Sequence, residues 1–129
     1  MAKISSSFDI THTTQGTLPS VPFEKIKKTI LGQSYALSLV LIADTLAKRL
    51  NQEYKKRSNP TNILSFPLSE TEGEIFLNIR RAKRDAKKFG HTTNQHIAFL
   101  FIHGCLHLKG TVHGKKMEKQ EEILLRKLY

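Results

Sequence analysis

Three of the chain's 6 histidines fall in one short run near the C-terminus, His103-Gly104-Cys105-Leu106-His107-Leu108-Lys109-Gly110-Thr111-Val112-His113. Imidazole nitrogens are strong ligands for zinc and related divalent ions, so clustered histidines point first to a metal. On a helix advancing about 100° per residue, His103 and His107 lie about 40° apart and one turn above the other, and both rings can close on one ion. His113 comes six residues later, too far along a continuing helix to join them. Gly110 removes that difficulty, because glycine takes the left-handed conformation that ends a helix and folds the chain back. Three neutral imidazoles with one position open describe a catalytic zinc site, whereas structural zinc is usually closed by four ligands including several cysteines. The chain has 1 cysteine, Cys105. It lies about 200° round the helix from His103 and reads as a small buried apolar residue. The blander account, two satisfied polar side chains at helical spacing, leaves the third histidine and the intervening glycine unexplained.

The same spacing of three histidines and a glycine occurs in metzincin proteases, where a Glu after the first His serves as general base. Gly104 stands at that position here, which weakens a zinc metallopeptidase reading. The run more closely resembles the signature of the YbeY family of bacterial single-strand-specific endoribonucleases, His-Gly-x-Leu-His-Leu-x-Gly-x-Asp-His. A second segment, from Leu50-Asn51 through Tyr54-Lys55-Lys56-Arg57 and Asn59-Pro60-Thr61-Asn62-Ile63-Leu64-Ser65-Phe66, is similar to the family's Leu-Asn-x-x-Tyr-Arg-x-Lys-Asp-x-Pro-Thr-Asp/Asn-Val-Leu-Ser-Phe. Gly73-Glu74-Ile75, Ala82-Lys83-Arg84 and Gly90-His91 also fall at family-typical places, so the likeness runs from about Ala36 to the C-terminus.

The resemblance implies a metal-dependent endoribonuclease acting on single-stranded RNA in rRNA maturation and ribosome quality control, with rRNA and the small ribosomal subunit as partners. Its metal ligands would be His103, His107 and His113, holding one Zn2+ or another divalent transition ion. Three imidazoles on zinc lower the pKa of a bound water towards about 7 without a protein base; the ion can equally polarise a phosphoryl oxygen while the RNA 2′-hydroxyl attacks. Lys55 or Arg57 is then the candidate for stabilising charge on the phosphorane, and Lys56, Ser65, Arg80, Arg81 and Arg84 are candidates for holding the RNA. Two departures stand out. The family's Arg and Lys fall on Lys55 and Arg57, which exchanges a guanidinium fork for a point charge. Val112 replaces the family's Asp, and losing a carboxylate that orients a ligand typically costs about 10–100-fold in affinity or activity. Reduced activity is expected, and a non-catalytic rRNA-binding or ribosome-binding protein with a structural metal is the alternative.

The charge balance agrees with a polyanionic partner. Lys+Arg number 21 against 11 Asp+Glu, a formal net charge of +10 on 129 residues, which attracts nucleic acid. Basic residues cluster at Lys48-Arg49, Lys55-Lys56-Arg57, Arg80-Arg81-Lys83-Arg84, Lys87-Lys88 and Lys115-Lys116. No run approaches the roughly 20 apolar residues of a membrane span, nothing pairs the charge with an exposed apolar face, and the opening Met1-Ala2-Lys3-Ile4-Ser5 has no apolar core of a signal peptide. One domain spanning 1–129, cytoplasmic and without disulfides, is expected.

Positioning these residues requires a particular order of elements. Ile4 to Ile10 alternates as a strand. A helix follows, with Ser20 as cap, Pro22 in the first turn and Gly32 at its close. Ala36 to Ile42 is an apolar run that suits a buried strand, and Asp44 can cap a helix with Leu46, Leu50 and Tyr54 on one face. Thr61 to Pro67 reads as an edge strand, because proline cannot donate to a ladder. Gly73 to Ile79 is the next strand, with Ile75, Leu77 and Ile79 on one side. Ala82, Ala86 and Phe89 mark a short basic helix stopped by Gly90. Asn94 to Lys109 is apolar on most sides, a buried helix opening its histidines on a cleft. Lys115 to Leu128 closes the chain, with Met117, Ile123, Leu124 and Leu128 as its apolar side. His12, His91 and His96 read as surface or capping residues. The order implies α+β: a small mixed sheet of about four strands with about five helices, the zinc site on the buried helix and the turn after it.

Overall fold

The computed structural model describes residues 8–14, 16, 18–54 and 62–129. Its elements run β1 (Phe8–His12), α1 (Phe23–Leu31), β2 (Ala36–Ile42), α2 (Asp44–Tyr54), β3 (Ile63–Ser69), β4 (Glu72–Asn78), α3 (Ile79–Ala86), a 3₁₀ turn at Lys87–Phe89, α4 (Thr93–Lys109) and α5 (Lys115–Leu128). The four strands form one sheet in the order β1-β2-β4-β3. β1, β2 and β4 run parallel, and β3 returns antiparallel to β4. Among the described residues the fold is therefore α+β, with a four-stranded mixed sheet and five α-helices.

The core lies where β2 and β4 meet α1 and α4. Leu37, Leu39 and Leu41 alternate inward from β2, Ile75 and Leu77 do so from β4, and all five are buried. Phe101 of α4 is fully enclosed, with Phe23 of α1 edge-on at 5.1 Å and Phe8 of β1 stacked at 6.2 Å between ring centres. Nine residues of α4 are buried, His96 to Ala98, Leu100 to Ile102 and Gly104 to Leu106. This is the depth of burial expected of a helix apolar on most sides. Cys105 is one of them, fully enclosed in the core, where burial pushes its thiol pKa well up. It is packing material, not a ligand.

Several boundaries differ from the periodicity, each for a local reason. β1 is described over Phe8–His12, and the earlier part of the expected strand lies outside the described residues. Ser20 does not cap α1. Pro22 occupies that place without a side-chain cap, its φ of −77° already near the helical value and its carbonyl accepting from Ile26 N–H. Asp44 is the first residue of α2, not its cap. Its carboxylate is taken by the Arg84 guanidinium at 2.9 and 3.1 Å and by Asn78 Nδ2 at 2.8 Å, and these donors, Arg84 first, hold its pKa below the usual carboxylate range. Asn78 ends β4 and caps α3 through Arg81 N–H, so Ile79 belongs to the helix and not to the strand. Pro67 does lie on an edge strand, and the register shifts between it and Ser69. α4 begins at a capping box made by Thr92 and Gln95, which leaves His91 and His96 with no capping task. On α5, Ile123 is turned outward, and Glu121 takes the inward position between Met117 and Leu128.

Gly104 explains why α4 sits so close to the sheet. A Cβ there would stand 2.8 Å from Ile63 Cδ1, 3.0 Å from Ile75 Cδ1 and 3.1 Å from Ser65 Oγ. The residue that weakened the peptidase reading is thus fixed by packing: a glutamate base at this position would lie between helix and sheet. Gly104→Leu is expected to lower stability by about 1–3 kcal/mol through overpacking, read from urea unfolding. Unchanged stability would mean that the helix can lift from the sheet at no cost.

Candidate metal centre

Gly110 ends α4 in the left-handed region at φ 100°, with its N–H bonded to His107 O. The chain turns back as expected, and the His113 ring comes to lie 5.1 Å from that of His103 and 5.4 Å from that of His107, centre to centre. The three sequence-selected imidazoles are therefore neighbours. Two imidazoles sharing a tetrahedral zinc, with Zn–N bonds of about 2.0–2.1 Å, have ring centres about 5 Å apart. The donor set and the ring spacing both fit such an ion. The nitrogens are not gathered to a point: among the described residues, no three His, Cys, Asp or Glu groups are placed to hold a metal as they stand. The two pairs that share His113 have their ring centres at coordination separation. His107 and His113 are exposed and His103 is partly so, and the open side of the site faces solvent.

A carboxylate absent from the sequence reading completes the arrangement. His103 Nδ1 hydrogen-bonds Glu121 Oε2 on α5, and the Glu121 side chain is only 5% exposed. With Nδ1 donating to the carboxylate, Nε2 of His103 is the nitrogen left for an ion, the arrangement in which a carboxylate fixes the tautomer and orientation of a metal-bound histidine. Val112, at the place of the Asp in the motif, is 81% exposed. The signal for Glu121 was present in the chain: Met117, Glu121, Leu124 and Leu128 share one face of a helix, and a lone carboxylate in such a stripe needs a partner.

His103, His113 and Glu121 line a groove of about 920 Å³ that continues along α4 to His96, Phe99 and Phe89. His96 is fully buried, and desolvation, followed by its neighbour His91, lowers its pKa. His96 and His103 are seven residues apart on one face of α4.

The proposed RNA contacts fare differently. Ser65 is half-buried on β3 with its hydroxyl against Gly104, next to His103. Arg80 is exposed on α3. Arg81 is paired with Asp85 at 3.2 Å and Arg84 with Asp44, so both reach RNA only by leaving or sharing an existing partner. Lys55, Lys56 and Arg57 lie outside the described residues.

A family model described as Endoribonuclease YbeY matches residues 3–128 of this chain. The chain belongs to the YbeY family. A curated YbeY endoribonuclease of Carboxydothermus hydrogenoformans is 34% identical over 104 residues, covering 72% of this chain and 73% of its own length. One from Nautilia profundicola is 38% identical over 96 residues (68% and 69%), and one from Pelotomaculum thermopropionicum 31% over 126 residues (84% and 83%). A solution structure from Thermotoga maritima matches the fold with a TM-score of 0.71 at 23% identity, covering 94% of this chain and 88% of that one. No helix among the described residues is long and apolar enough to cross a membrane.

Proposed function

We propose that this YbeY-family chain is a metal-dependent endoribonuclease that cleaves single-stranded RNA, with rRNA maturation and ribosome quality control as its setting and the small ribosomal subunit as a partner. The observation that carries the reading is the stance of the His113 ring beside those of both His103 and His107, with His103 and His113 lining an open groove. The +10 charge supports a polyanionic substrate. When bound, zinc supplies polarisation of a phosphoryl oxygen and a lowered pKa for an attacking water. The chain's residues do the rest. Glu121 holds the His103 ring; Lys55 or Arg57 is the candidate for stabilising the charge that develops on phosphorus, and Lys56, Ser65, Arg80, Arg81 and Arg84 are the candidates for holding the strand.

The rival is a non-catalytic rRNA-binding protein with a structural metal, favoured by Val112 at the family's Asp position. Incubating the zinc-loaded protein with labelled single-stranded RNA, the matched duplex and an unstructured polypeptide separates the readings. Cleavage of the single strand alone, lost on chelation and restored by zinc, is expected. Salt-sensitive RNA binding without turnover would establish the rival, and cut polypeptide a peptidase.

A further inference from the structure

Beside the histidine site lies a cluster of rings that the proposed cleavage does not use. Phe89 is 57% exposed, a large apolar side chain presented to solvent. Its ring stacks on His91 at 5.8 Å and 25° and lies 4.8 Å from His96 and 5.7 Å from Phe99. Gly90, in the left-handed conformation, turns the chain so that Phe89 and His91 stand together. All four rings line the groove that holds His103 and His113. A second, independent feature sits beneath them. His96 is fully buried, and its Nε2 has no hydrogen-bond partner among the described residues, while its Nδ1 is 3.0 Å from His91 Nδ1. An unpaired buried N–H is rarer than an unpaired acceptor, so the proton of His96 belongs on Nδ1 and is donated to His91. His91 then carries its own proton on Nε2, a donor on the ring stacked with Phe89.

We propose that Phe89 and His91 form a stacking subsite for one unpaired nucleobase of the RNA, placed along the groove from the histidine site. The proposal rests on the nuclease reading and adds what that reading lacks, a physical source of single-strand preference: only an unpaired base offers its face to a ring. The sequence around the platform, Lys87-Lys88-Phe89-Gly90-His91, sets two lysines directly before the two rings, and both are exposed, Lys88 lying 3.9 Å from the Asp85 carboxylate. Phosphates flanking the stacked base would meet these lysines. The acidic side chains of the same groove, Glu118, Glu121 and Glu122, all belong to α5 and none to the Lys87–His91 segment, and Glu121 is already bonded to His103.

The test uses the full zinc-loaded chain and a short single-stranded RNA carrying 2-aminopurine at successive positions, because stacking quenches that base. Quenching at one position is expected. In Phe89→Ala the quenching should vanish and single-strand affinity should fall about 10-fold, whereas Phe89→Trp should retain both and zinc uptake should be unchanged in either variant. Phe89 is exposed, so neither substitution threatens the core. If the wild type cleaves the RNA and Phe89→Ala binds and quenches equally well, the platform is wrong and the nuclease reading stands. If the wild type neither binds nor cleaves single-stranded RNA, the nuclease reading fails and the platform with it.

Discussion

His107→Ala is expected to take zinc stoichiometry from about one ion per chain to none, and RNA cleavage to background, while leaving the fold intact. The two halves of this expectation come from the same placement. His107 is exposed at the end of α4, whereas the buried side of that helix is carried by Phe101, Ile102, Cys105 and Leu106. Truncating a surface side chain away from core, cap or special backbone ordinarily changes stability by no more than about 0.5 kcal/mol. As one of the three proposed ligands, by contrast, its loss would leave two imidazoles and an ion with too many open positions to be retained. Metal analysis, a cleavage assay and a thermal melt on one preparation check all three consequences. Cleavage surviving in a zinc-free His107→Ala protein would end the metal-dependent reading. His113→Ala should behave alike, since its ring is the one adjacent to both others.

Local signals made much of this architecture legible. β2 and α5 have the bounds that their apolar patterns imply, α4 starts one residue earlier than expected, and Gly90 and Gly110 stop their helices in the left-handed conformation. What escaped was decided by partners distant in sequence. Asp44 has the chemistry of a helix cap, yet Arg84, forty residues on, claims its carboxylate. Asn78 falls within the strand expected over Gly73 to Ile79, because its capping role depends on where β4 stops against β2. Ile123 and Glu121 exchange the roles that hydrophobicity alone would give them, because α5 is rotated to bring a carboxylate to His103. For the site, spacing alone was enough to bring the three histidines together, since Gly110 fixes the turn. Spacing could not reveal the carboxylate behind them or the rings beside them, because both depend on how α5 and the Lys87–Phe89 turn pack on α4. Lys55 and Arg57 rest on the motif alone.

Glu121 offers the sharper test of how the site is held. Glu121→Leu should lower zinc affinity about 10–100-fold while the metal-free protein melts at or above the wild-type temperature. The metal loss follows because the His103 ring, no longer tied at Nδ1, can rotate and change tautomer, and each wrong state must be reversed before Nε2 meets an ion. Stability should hold because the position between Met117 and Leu128 is buried, so leucine adds apolar contact where a carboxylate had been desolvated, and His103, 29% exposed, recovers its lost partner from water. Glu121→Gln should fall between the two, since the amide oxygen still accepts from Nδ1–H without the charge. Competition for zinc against a chromophoric chelator gives the order wild type, Gln, Leu, and melts of the same metal-free proteins give the opposite or no order. A Leu variant that holds zinc as tightly as the wild type would show that ring orientation is set by packing alone. A variant that loses zinc and stability in proportion would make Glu121 a structural residue, with no specific part in presenting His103.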